Sequence, residues 1–438
     1  MLTDDRPSHP MTFTIRLHFS GRLDGEALKR AVGVAVRRHP LLAAHQQGDE
    51  PRHAWWVAAT DPMPYLDIAD ESTPFAFPGS EQIDLRRTTG LRIWARTGTD
   101  RVEMRLQFHH SCCDGVGAYD FIEDLLCAYE LALHPDSQEA VWRPIDPELL
   151  RKRTRFGLSW WRNLLRVPID FWGILVGNIQ FFLTPAVRLA SLDTPTVDDA
   201  ARLRLLDYPS HTFDEADTKR LREQARREGA TFNDFLLVVL AGGVKAWNVR
   251  RGVRQGMRVI RIMIPFNLRG PEDERLPAAN VVAMLFMDRH AFWFRKRSWL
   301  LASTKLETRF FKLFRFPLSF IRSVQVMALI PGGMKLLAGT SKCYATSVLS
   351  NLGRMYPNAR LPRRDGKLRA GELVLERIES APPVRPNTST SLSTLYYADK
   401  LTIVMNYDRF EFTADGAQQV LATIIEQLSG DTPRGCGG

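Results

Sequence analysis

The stretch His109-His110-Ser111-Cys112-Cys113-Asp114-Gly115 decides how this chain folds and where its chemistry lies. An imidazole titrates near pH ~6.5, so a histidine here can act as a general base close to neutral pH. An aspartate and then a glycine follow, which favours a tight turn that holds such a base in place. Residues 102–108 alternate apolar and polar and predict a half-buried strand, whereas the residues after the stretch have helical spacing. The stretch is therefore predicted to form a strand-to-helix loop, where catalytic residues often lie.

The length and composition are those of a globular protein with sizeable cores. The 438 residues suit two domains, and 45% of them are hydrophobic and 25% charged. A net charge of +10 suits an anionic membrane or an acidic substrate, and the absence of a nucleic-acid-binding motif argues against DNA or RNA. The polar N-terminus does not predict a signal peptide. Five cysteines without metal-ligand spacing, two of them adjacent, indicate reduced thiols and a cytoplasmic protein.

Changes in composition and periodicity divide the chain into four segments. Residues 1–150 alternate strand and helix patterns and predict an N-terminal lobe that carries the loop. Residues 151–200 become basic and aromatic, with an apolar run too short and too polar for a membrane span, and predict a helical crossover. Residues 201–430 return to the α/β pattern and predict a C-terminal lobe. The glycine-rich residues 431–438 predict a disordered tail.

The loop resembles the HHxxxDG motif of the superfamily of condensation domains and CoA-dependent acyltransferases. Further segments similar to that superfamily occur in the expected order: Arg38-His39-Pro40, Gly229–Asp234, Pro265-Phe266-Asn267-Leu268-Arg269, Asn280 and Ser350-Asn351-Leu352-Gly353. The chain is most similar to the wax ester synthase-like and polyketide-associated branches, since it lacks the Asp-Phe-Gly-Trp motif of the plant enzymes. It has neither a carrier motif nor an adenylation region, so a free-standing unit is expected.

The resemblance implies an α/β (α+β) fold of two chloramphenicol-acetyltransferase-like lobes, which form a V-shaped pseudo-dimer with a tunnel at their interface. It also implies an acyltransferase that moves an acyl group from a thioester donor to an alcohol or amine acceptor. The donor would be acyl-CoA or an acyl-carrier protein, so that a CoA or phosphopantetheine thioester is the co-substrate, with no bound cofactor and no metal. One chain would supply both walls of the tunnel, and a monomer is therefore expected.

The catalytic residues are carried over from the positions that match the family's motifs. His110 would be the general base that takes a proton from the acceptor. Asp114 would be structural and paired with Arg269, while Gly115 would let the backbone approach the substrate, although an ordinary turn glycine remains an alternative. Asn280 is expected to be a further structural partner near the site.

The substrate-binding candidates are His109, Ser350 and Asn351. Ser350 and Asn351 could donate hydrogen bonds to substrate or to a developing oxyanion, but hydrogen bonding at a strand end explains them equally well. His109 also fits a packing or hydrogen-bonding role. Cys112 and Cys113 occupy spacer positions of the motif, and nucleophilic catalysis by either is the disfavoured alternative.

Two basic and aromatic stretches, residues 151–182 and 292–316, leave two interpretations open. They could meet an anionic membrane, which would place the protein peripherally on the inner face of that membrane. Alternatively, the aromatic side chains pack inward and the cations are solvated. Two other functions also stay open: a non-catalytic module that docks carrier proteins or a membrane surface, and epimerisation of a carrier-bound residue.

Overall fold

Two mixed β-sheets with helices packed against them organise the computed structural model, which describes residues 1–48, 54–156, 160–191, 205, 207–339 and 342–429. The strands are, in chain order, β1 (Thr12–Ser20), β2 (Ala44–Gln47), β3 (Trp55–Ala58), β4 (Tyr65–Asp70), β5 (Leu91–Thr97), β6 (Arg101–His109), β7 (Ser210–Thr212), β8 (Ile260–Asn267), β9 (Val282–Arg289), β10 (Ser347–Arg354), β11 (Arg363–Arg364), β12 (Lys367–Ala370), β13 (Leu373–Ala381), β14 (Thr390–Tyr397) and β15 (Lys400–Tyr407). The helices are α1 (Gly25–Arg38), α2 (Gly115–Leu133), α3 (Leu149–Lys152), α4 (Trp160–Leu165), α5 (Val167–Leu183), α6 (Glu215–Arg227), α7 (Phe232–Arg250), α8 (Arg297–Leu313), α9 (Pro317–Leu329), α10 (Gly333–Leu337) and α11 (Ala414–Ser429).

The first sheet has the strand order β11-β12-β13-β1-β6-β5-β4, and α1 and α2 pack against each other beside it over a shared apolar core. Helix α1 begins at a capping residue, since the Asp24 carboxylate accepts a hydrogen bond from the Ala27 N–H at 2.8 Å. Strands β1 and β6 are antiparallel with Thr12 opposite His109. The end of β6 therefore lies at an edge of the core, where the 109–115 loop begins.

The second sheet has the strand order β7-β15-β14-β10-β8-β9, and α7 and α11 pack together over its core. Helix α7 starts at Thr231, whose hydroxyl accepts from the Asp234 N–H at 3.1 Å. Strand β10 runs parallel to both β8 and β14, its two neighbours. As a result β8 and β10 end side by side, and their last residues face the first lobe.

The predicted boundary between the lobes at residue 201 does not account for three later strands that join the first sheet. Strands β11, β12 and β13 come from the predicted C-terminal segment but extend the first sheet, with β13 antiparallel to β1. Residues 363–381 therefore belong to the N-terminal lobe in space. Alternating apolar residues identify a strand but carry no information about which sheet it joins, so the sequence pattern could not reveal this exchange.

The predicted crossover contains α4 and α5, which lie outside both sheets, with α5 packed on α9. The strand expected at 202–206 and the tail at 431–438 fall outside the described residues, apart from Leu205. In the part of the chain that the structure describes, no single helix is long and apolar enough to cross a membrane. Taken together, α6 and α7 have the length and composition of a membrane span, but the chain bends by 97° at their junction.

Candidate active site between the two lobes

The 109–115 loop is tied down on both sides by backbone hydrogen bonds. The His110 N–H donates to the Met11 carbonyl at 2.7 Å, and the Cys112 N–H donates to the His109 carbonyl at 2.9 Å. The loop then enters α2 at Gly115, as the strand-to-helix pattern predicts. Its backbone is thus fixed by the end of the first sheet and by the start of a long buried helix.

Asp114 connects the two lobes through its buried carboxylate. Oδ1 accepts from the Gly117 N–H at 2.9 Å and so caps α2. Oδ2 accepts from Arg269 Nη1 at 2.7 Å and from the Val281 N–H at 2.8 Å, both in the second lobe. The carboxylate is only 1% exposed, and these three donors compensate its desolvation.

Arg269 is held in the same network. Its Nη2 donates to the Ala279 carbonyl at 2.8 Å, and that carbonyl also accepts from the Asp114 N–H at 3.2 Å. Burial alone would lower the pKa of the Arg269 guanidinium, but the carboxylates of Asp114, Asp120 and Asp273 together outweigh burial, so the pKa is raised. The hydrogen bonds of Arg269 thus fix the 278–281 segment against the 109–115 loop.

His39 holds the same segment from the other side, a role that its position at the end of α1 did not predict. Its Nδ1 accepts from the Ala278 N–H at 2.8 Å, and its Nε2 lies 3.2 Å from Asp124 Oδ2. Burial lowers the pKa of His39, although the Asp124 carboxylate opposes this shift. The neutral ring with its proton on Nε2 satisfies both contacts, so His39 is an uncharged clamp between the lobes.

His110 lies in a cavity of about 210 Å³ whose walls come from both lobes. The edge of its ring packs against Phe13, with 5.1 Å between the ring centroids. Burial lowers the pKa of His110 below its ordinary value, and the nearby Asp114 carboxylate opposes the shift only in part. The imidazole is therefore neutral at pH 7, which is the form that can accept a proton.

The contacts of His110 allow either tautomer of the neutral ring. Asn280 Nδ2 donates to the His110 backbone carbonyl at 2.7 Å and lies 3.2 Å from Nδ1 of the ring. With the proton on Nε2, Nδ1 accepts from this amide. With the proton on Nδ1, Nε2 carries the lone pair, and within the described ranges Nε2 has no hydrogen-bond partner. The second tautomer is the one that a base at Nε2 requires.

Ser350 and Asn351 lie in β10 and line the cavity opposite the 109–115 loop. The amide of Asn351 is already engaged, because Nδ2 donates to Asn233 Oδ1 at 3.2 Å and Oδ1 accepts from the Gly353 N–H at 3.1 Å. The Ser350 hydroxyl forms no hydrogen bond with any residue that the structure describes. Ser350 is therefore the better placed of the two to contact a substrate.

The structure places His109, a predicted substrate-binding residue, in the core and away from the cavity. Its side chain is fully buried and does not line the cavity. Nδ1 accepts from the Ser111 N–H at 3.1 Å, and Nε2 faces Asp5 Oδ2 at 3.5 Å. His109 is the last residue of β6 and faces the core, whereas His110 lies in the turn that follows and lines the cavity.

Two glycines allow α2 to approach the second lobe closely. A Cβ on Gly117 would come within 2.9 Å of the Ala279 backbone nitrogen, and one on Gly115 would meet Leu352 at 2.9 Å. Gly115 also lines the cavity, together with Val116. Gly117 therefore allows a close approach between two backbones, whereas Gly115 faces the tip of the Leu352 side chain.

The cysteines of the loop are spacers that pack in the core. Cys112 and Cys113 are both fully buried, free thiols. Burial raises the pKa of each thiol well above its ordinary value. Because the thiolate is the reactive form, neither side chain has the character of a catalytic nucleophile.

The structure adds cavity residues that sequence reasoning missed. Met263 and Pro265 of β8, Val282 and Met284 of β9, and Arg385 complete the wall from the second lobe. The period-two alternation of β9 is visible in the sequence and could have indicated a lined face, although not which ligand it meets. Arg385 is paired with Asp4 and therefore does not present a free cation. Among the described residues, no group of three or more His, Cys, Asp or Glu could hold a metal ion.

Comparisons with known proteins identify the fold. No family model matches the chain. A curated relative, a probable non-canonical nonribosomal peptide synthetase CymA from Salinispora arenicola, is 25% identical over 248 residues, which are 54% of this chain and 3% of that protein. The chain thus spans a small fraction of the length of the curated relative that it matches.

Two solved structures resemble the whole chain at low sequence identity. The first condensation domain of the calcium-dependent antibiotic synthetase, in complex with a substrate analogue, superposes with a TM-score of 0.67 at 16% identity, over 97% of this chain and 91% of that one. The starter condensation domain of the rhizomide synthetase RzmA, in complex with C8-CoA and Leu-SNAC, gives 0.63 at 12% identity, over 98% of this chain and 90% of that one. The chain therefore has the condensation-domain fold of two chloramphenicol-acetyltransferase-like lobes, which confirms the fold class predicted from the ordered motifs.

Proposed function

We propose that this protein is an acyltransferase that moves an acyl group from a thioester donor to an alcohol or amine acceptor, with His110 as the general base. The observation that carries this proposal is the neutral His110 ring, which lines the cavity between the lobes. A base with these properties can take a proton from a bound hydroxyl or amine at neutral pH.

The proposed reaction proceeds without a covalent enzyme intermediate. The acceptor oxygen or nitrogen attacks the thioester carbonyl while His110 Nε2 takes its proton, and the C–S bond then breaks as the thiolate leaves with that proton. The first N–H groups of α2, at Gly115 and Val116, have no partner within the helix and lie at the cavity wall. Together with the Ser350 hydroxyl they are suited to stabilise negative charge on the carbonyl oxygen.

Acyl-CoA or an acyl-carrier protein is the proposed donor. The rhizomide synthetase domain was solved with C8-CoA and Leu-SNAC, and the curated relative is a probable peptide synthetase, which supports a CoA or carrier-bound thioester. The net charge of +10 suits either the phosphates of CoA or an acidic carrier. Both walls of the cavity come from one chain, so we propose that a monomer is active, without a bound cofactor or metal.

A panel of donors and acceptors tests this proposal. Acyl-CoAs and acyl-carrier proteins of several chain lengths are each combined with alcohols and amines, and the products are identified by mass spectrometry. Ester or amide formation that depends on His110 supports the proposal, and carrier-bound epimerised residues would favour the epimerase alternative. Absence of any product across the panel would leave the non-catalytic docking module as the better description.

The pH dependence of turnover provides a second test. Because burial lowers the pKa of His110, the neutral base is present at pH 7 and is lost only below the ordinary histidine pKa of about 6.5. We expect kcat/KM, measured with an alcohol acceptor that does not itself titrate, to be level around neutral pH and to fall with a midpoint below 6.5. A midpoint clearly above that value would contradict the neutral, desolvated base.

A second candidate function, docking to a membrane, is favoured by an exposed apolar surface. The outer side of α4, α5 and the end of α9, here called the apolar face, carries large side chains that solvent reaches: Trp160, Trp161, Leu164, Leu165, Phe171, Trp172, Leu175, Val176, Ile179, Val326 and Leu329. Trp160 is 78% exposed and Trp172 is 61% exposed, so these aromatic side chains do not pack inward. Exposed apolar surface on this scale is typical of a binding site.

The charges around the apolar face are complementary to anionic lipid. The sequence from 160 to 183 and from 312 to 336 contains a single acidic residue, Asp170, which is buried and ion-paired with Arg166. Lys312, Arg315 and Lys335, in the second of these ranges, are exposed cations. We propose that this face rests on the inner surface of an anionic membrane and that the protein is cytoplasmic or peripheral there. In the second aromatic stretch Trp293 and Phe294 pack against Leu300 and Leu301, whereas Phe292, Trp299 and Phe310 are each more than 40% exposed.

Vesicle flotation tests the membrane proposal. The protein is expected to float with phosphatidylserine-containing vesicles at low salt, less at high salt, and much less with phosphatidylcholine alone. Phe171→Ser/Trp172→Ser removes two exposed aromatic residues and should lower the partition coefficient by about tenfold or more. Met257→Ser, at a position 94% exposed outside the apolar face, is the matched control and should bind like the wild type. Failure of the wild type to bind anionic vesicles at low salt would exclude the proposal.

A further inference from the structure

One charged side chain in the wall of the active-site cavity has no part in the proposed reaction. Among the described residues that line this cavity, Arg385 is the one lysine or arginine. The other charged wall residue, Asp114, is paired with Arg269 and caps α2. A guanidinium in a largely apolar wall is costly to desolvate unless an anion faces it. The identity of that anion therefore bears on what the cavity binds.

The anion that faces Arg385 is a carboxylate of the protein itself. Arg385 Nη2 donates to Asp4 Oδ1 at 3.0 Å, and Nε contacts Asp4 Oδ2. Both side chains are mostly buried, with 19% of Arg385 and 16% of Asp4 exposed. Asp4 also lies 3.5 Å from Arg6, but within the described ranges it is the only acidic partner of Arg385. The guanidinium thus holds a carboxylate at the cavity wall, which is the anion that suits its planar fork of donors.

Arg385 is held firmly in the second lobe. It lies in the loop between β13 and β14, which also contributes Pro382 to the cavity wall. The Thr388 N–H donates to the Arg385 carbonyl at 2.9 Å, and Asn406 Nδ2 donates to the Pro382 carbonyl at 2.7 Å. The guanidinium also lies over the ring of Tyr344, 5.8 Å from the ring centroid. The cation is therefore fixed, whatever anion it faces.

Asp4, by contrast, lies on a segment with few contacts of its own. A single turn of 3-10 helix, Leu2–Asp4, carries the carboxylate, joins neither sheet and has no fully buried residue. The next residue, Asp5, is anchored in the first lobe, because its carboxylate accepts from the Met11 N–H at 2.8 Å and from Gln82 Nε2 at 2.7 Å. The turn can thus leave the cavity wall while the chain after it stays in place, and this would free the guanidinium.

We propose that Arg385 binds a carboxylate group of a substrate, and that Asp4 occupies the place of this carboxylate in the free protein. The inference deepens the proposed acyl transfer and rests on it only for the position of the reacting group at His110. The carboxylate belongs either to the acceptor, as in a hydroxy acid or an amino acid, or to a dicarboxylic acyl group of the donor, because both present the same chemistry to the guanidinium. Met1 lines the cavity, so release of Asp4 also enlarges it.

The two partners of this ion pair should respond in opposite directions, which a merely structural pair would not do. Asp4→Asn removes the internal competitor and should strengthen carboxylate binding by about tenfold or more, whereas Arg385→Gln should abolish the preference for a carboxylate. Asp4→Ala is a second variant of the competitor. Arg385→Lys keeps the charge but loses the paired hydrogen bonds, so it should retain only part of the affinity.

Glu81→Gln is the matched control for these variants. Glu81 forms an ion pair with Arg409, which also joins the two lobes and is mostly buried, but neither residue lines the cavity. The control therefore frees an arginine in the second lobe without changing the cation at the cavity wall. Its preference for carboxylates should equal that of the wild type.

Binding is measured by ligand-observed NMR titration, without turnover, in two arms. The acceptor arm uses glycolate, lactate and mandelate, each compared with its primary amide. The donor arm uses the thioethers S-carboxymethyl-CoA and S-carboxypropyl-CoA, each compared with its amide, so that the phosphates of CoA are common to both members of a pair. In one arm the wild type should bind the carboxylate more tightly than the amide, and Asp4→Asn should do so by a larger factor. The arm that responds identifies the substrate that carries the carboxylate.

Asp4→Asn decides the proposal, because it presents the guanidinium without its internal partner. If Asp4→Asn and Asp4→Ala bind carboxylates no better than amides in both arms, or if loss of either partner weakens binding alike, Arg385 is not a substrate-binding residue. Carboxylate binding of the expected kind without any product in the donor and acceptor panel would retain the site and refute the proposed acyl transfer instead. Product formation without a preference for carboxylates would retain acyl transfer and overturn the site.

Discussion

His110→Ala is expected to lower kcat/KM for acyl transfer by about 10²–10⁴-fold, the usual contribution of a general base. The variant removes the only group in the proposed mechanism that accepts the proton, while donor and acceptor can still bind in the cavity. Its fold should be preserved, because Asn280 bonds to the backbone carbonyl of residue 110, which alanine retains. Steady-state kinetics measure the loss of catalysis, and the midpoint of urea unfolding measures any loss of stability.

The neighbouring histidine provides the matched control for this substitution. His109→Asn retains an acceptor for the Ser111 N–H but loses the contact with Asp5, so stability should fall while the folded fraction keeps its activity. The expected outcome is thus a catalytic defect at one histidine and a structural defect at the other. Undiminished product formation by His110→Ala would show that the base is another group, or that the reaction needs none.

Asp114→Ala is expected to destabilise the protein by about 3–5 kcal/mol, because it leaves the buried charge of Arg269 without its partner. The same substitution removes the cap of α2 and the acceptor for the Val281 N–H. The midpoint of urea unfolding should therefore fall strongly, and any loss of activity should follow from loosened contact between the lobes.

A double-mutant cycle with Arg269→Met examines the Asp114 result further. Removing the cation as well as the carboxylate abolishes the unpaired charge, so the double variant should be less destabilised than the two single changes summed. Asp84→Ala, at a half-exposed carboxylate that does not line the cavity, is the control and should change stability little. An unchanged unfolding midpoint for Asp114→Ala would refute the role of Asp114 as a link between the lobes.

Local patterns predicted the elements around the site well. Alternation in residues 102–108 and helical spacing after residue 115 correspond to β6 and α2. The family resemblance implied a pairing of Asp114 with Arg269, and the structure shows their side chains 2.7 Å apart. These features depend on neighbours in the chain or on ordered motifs, and both can be read from a single sequence.

Contacts between residues that are far apart in the sequence could not be predicted. His39 looked like a helix-end residue because its partner, the Ala278 N–H, belongs to the other lobe. His109 looked like a ligand because the motif does not indicate that it faces the core. The aromatic residues of 160–183 fit burial or exposure equally well by composition, and only the packing of α5 on α9 determines which side remains outside.

The exchange of β11, β12 and β13 into the first sheet has a consequence for how the chain acquires its structure. Thr14, in the first strand, pairs with Ala381, so the N-terminal sheet cannot be completed during synthesis until residue 381 has left the ribosome. Until then one side of β1 is an open edge that can pair wrongly. Contacts between such distant residues also slow folding, and they make the two halves of the molecule interdependent rather than autonomous units. Separate expression of residues 1–200 is accordingly expected to yield an incomplete sheet and an aggregation-prone fragment.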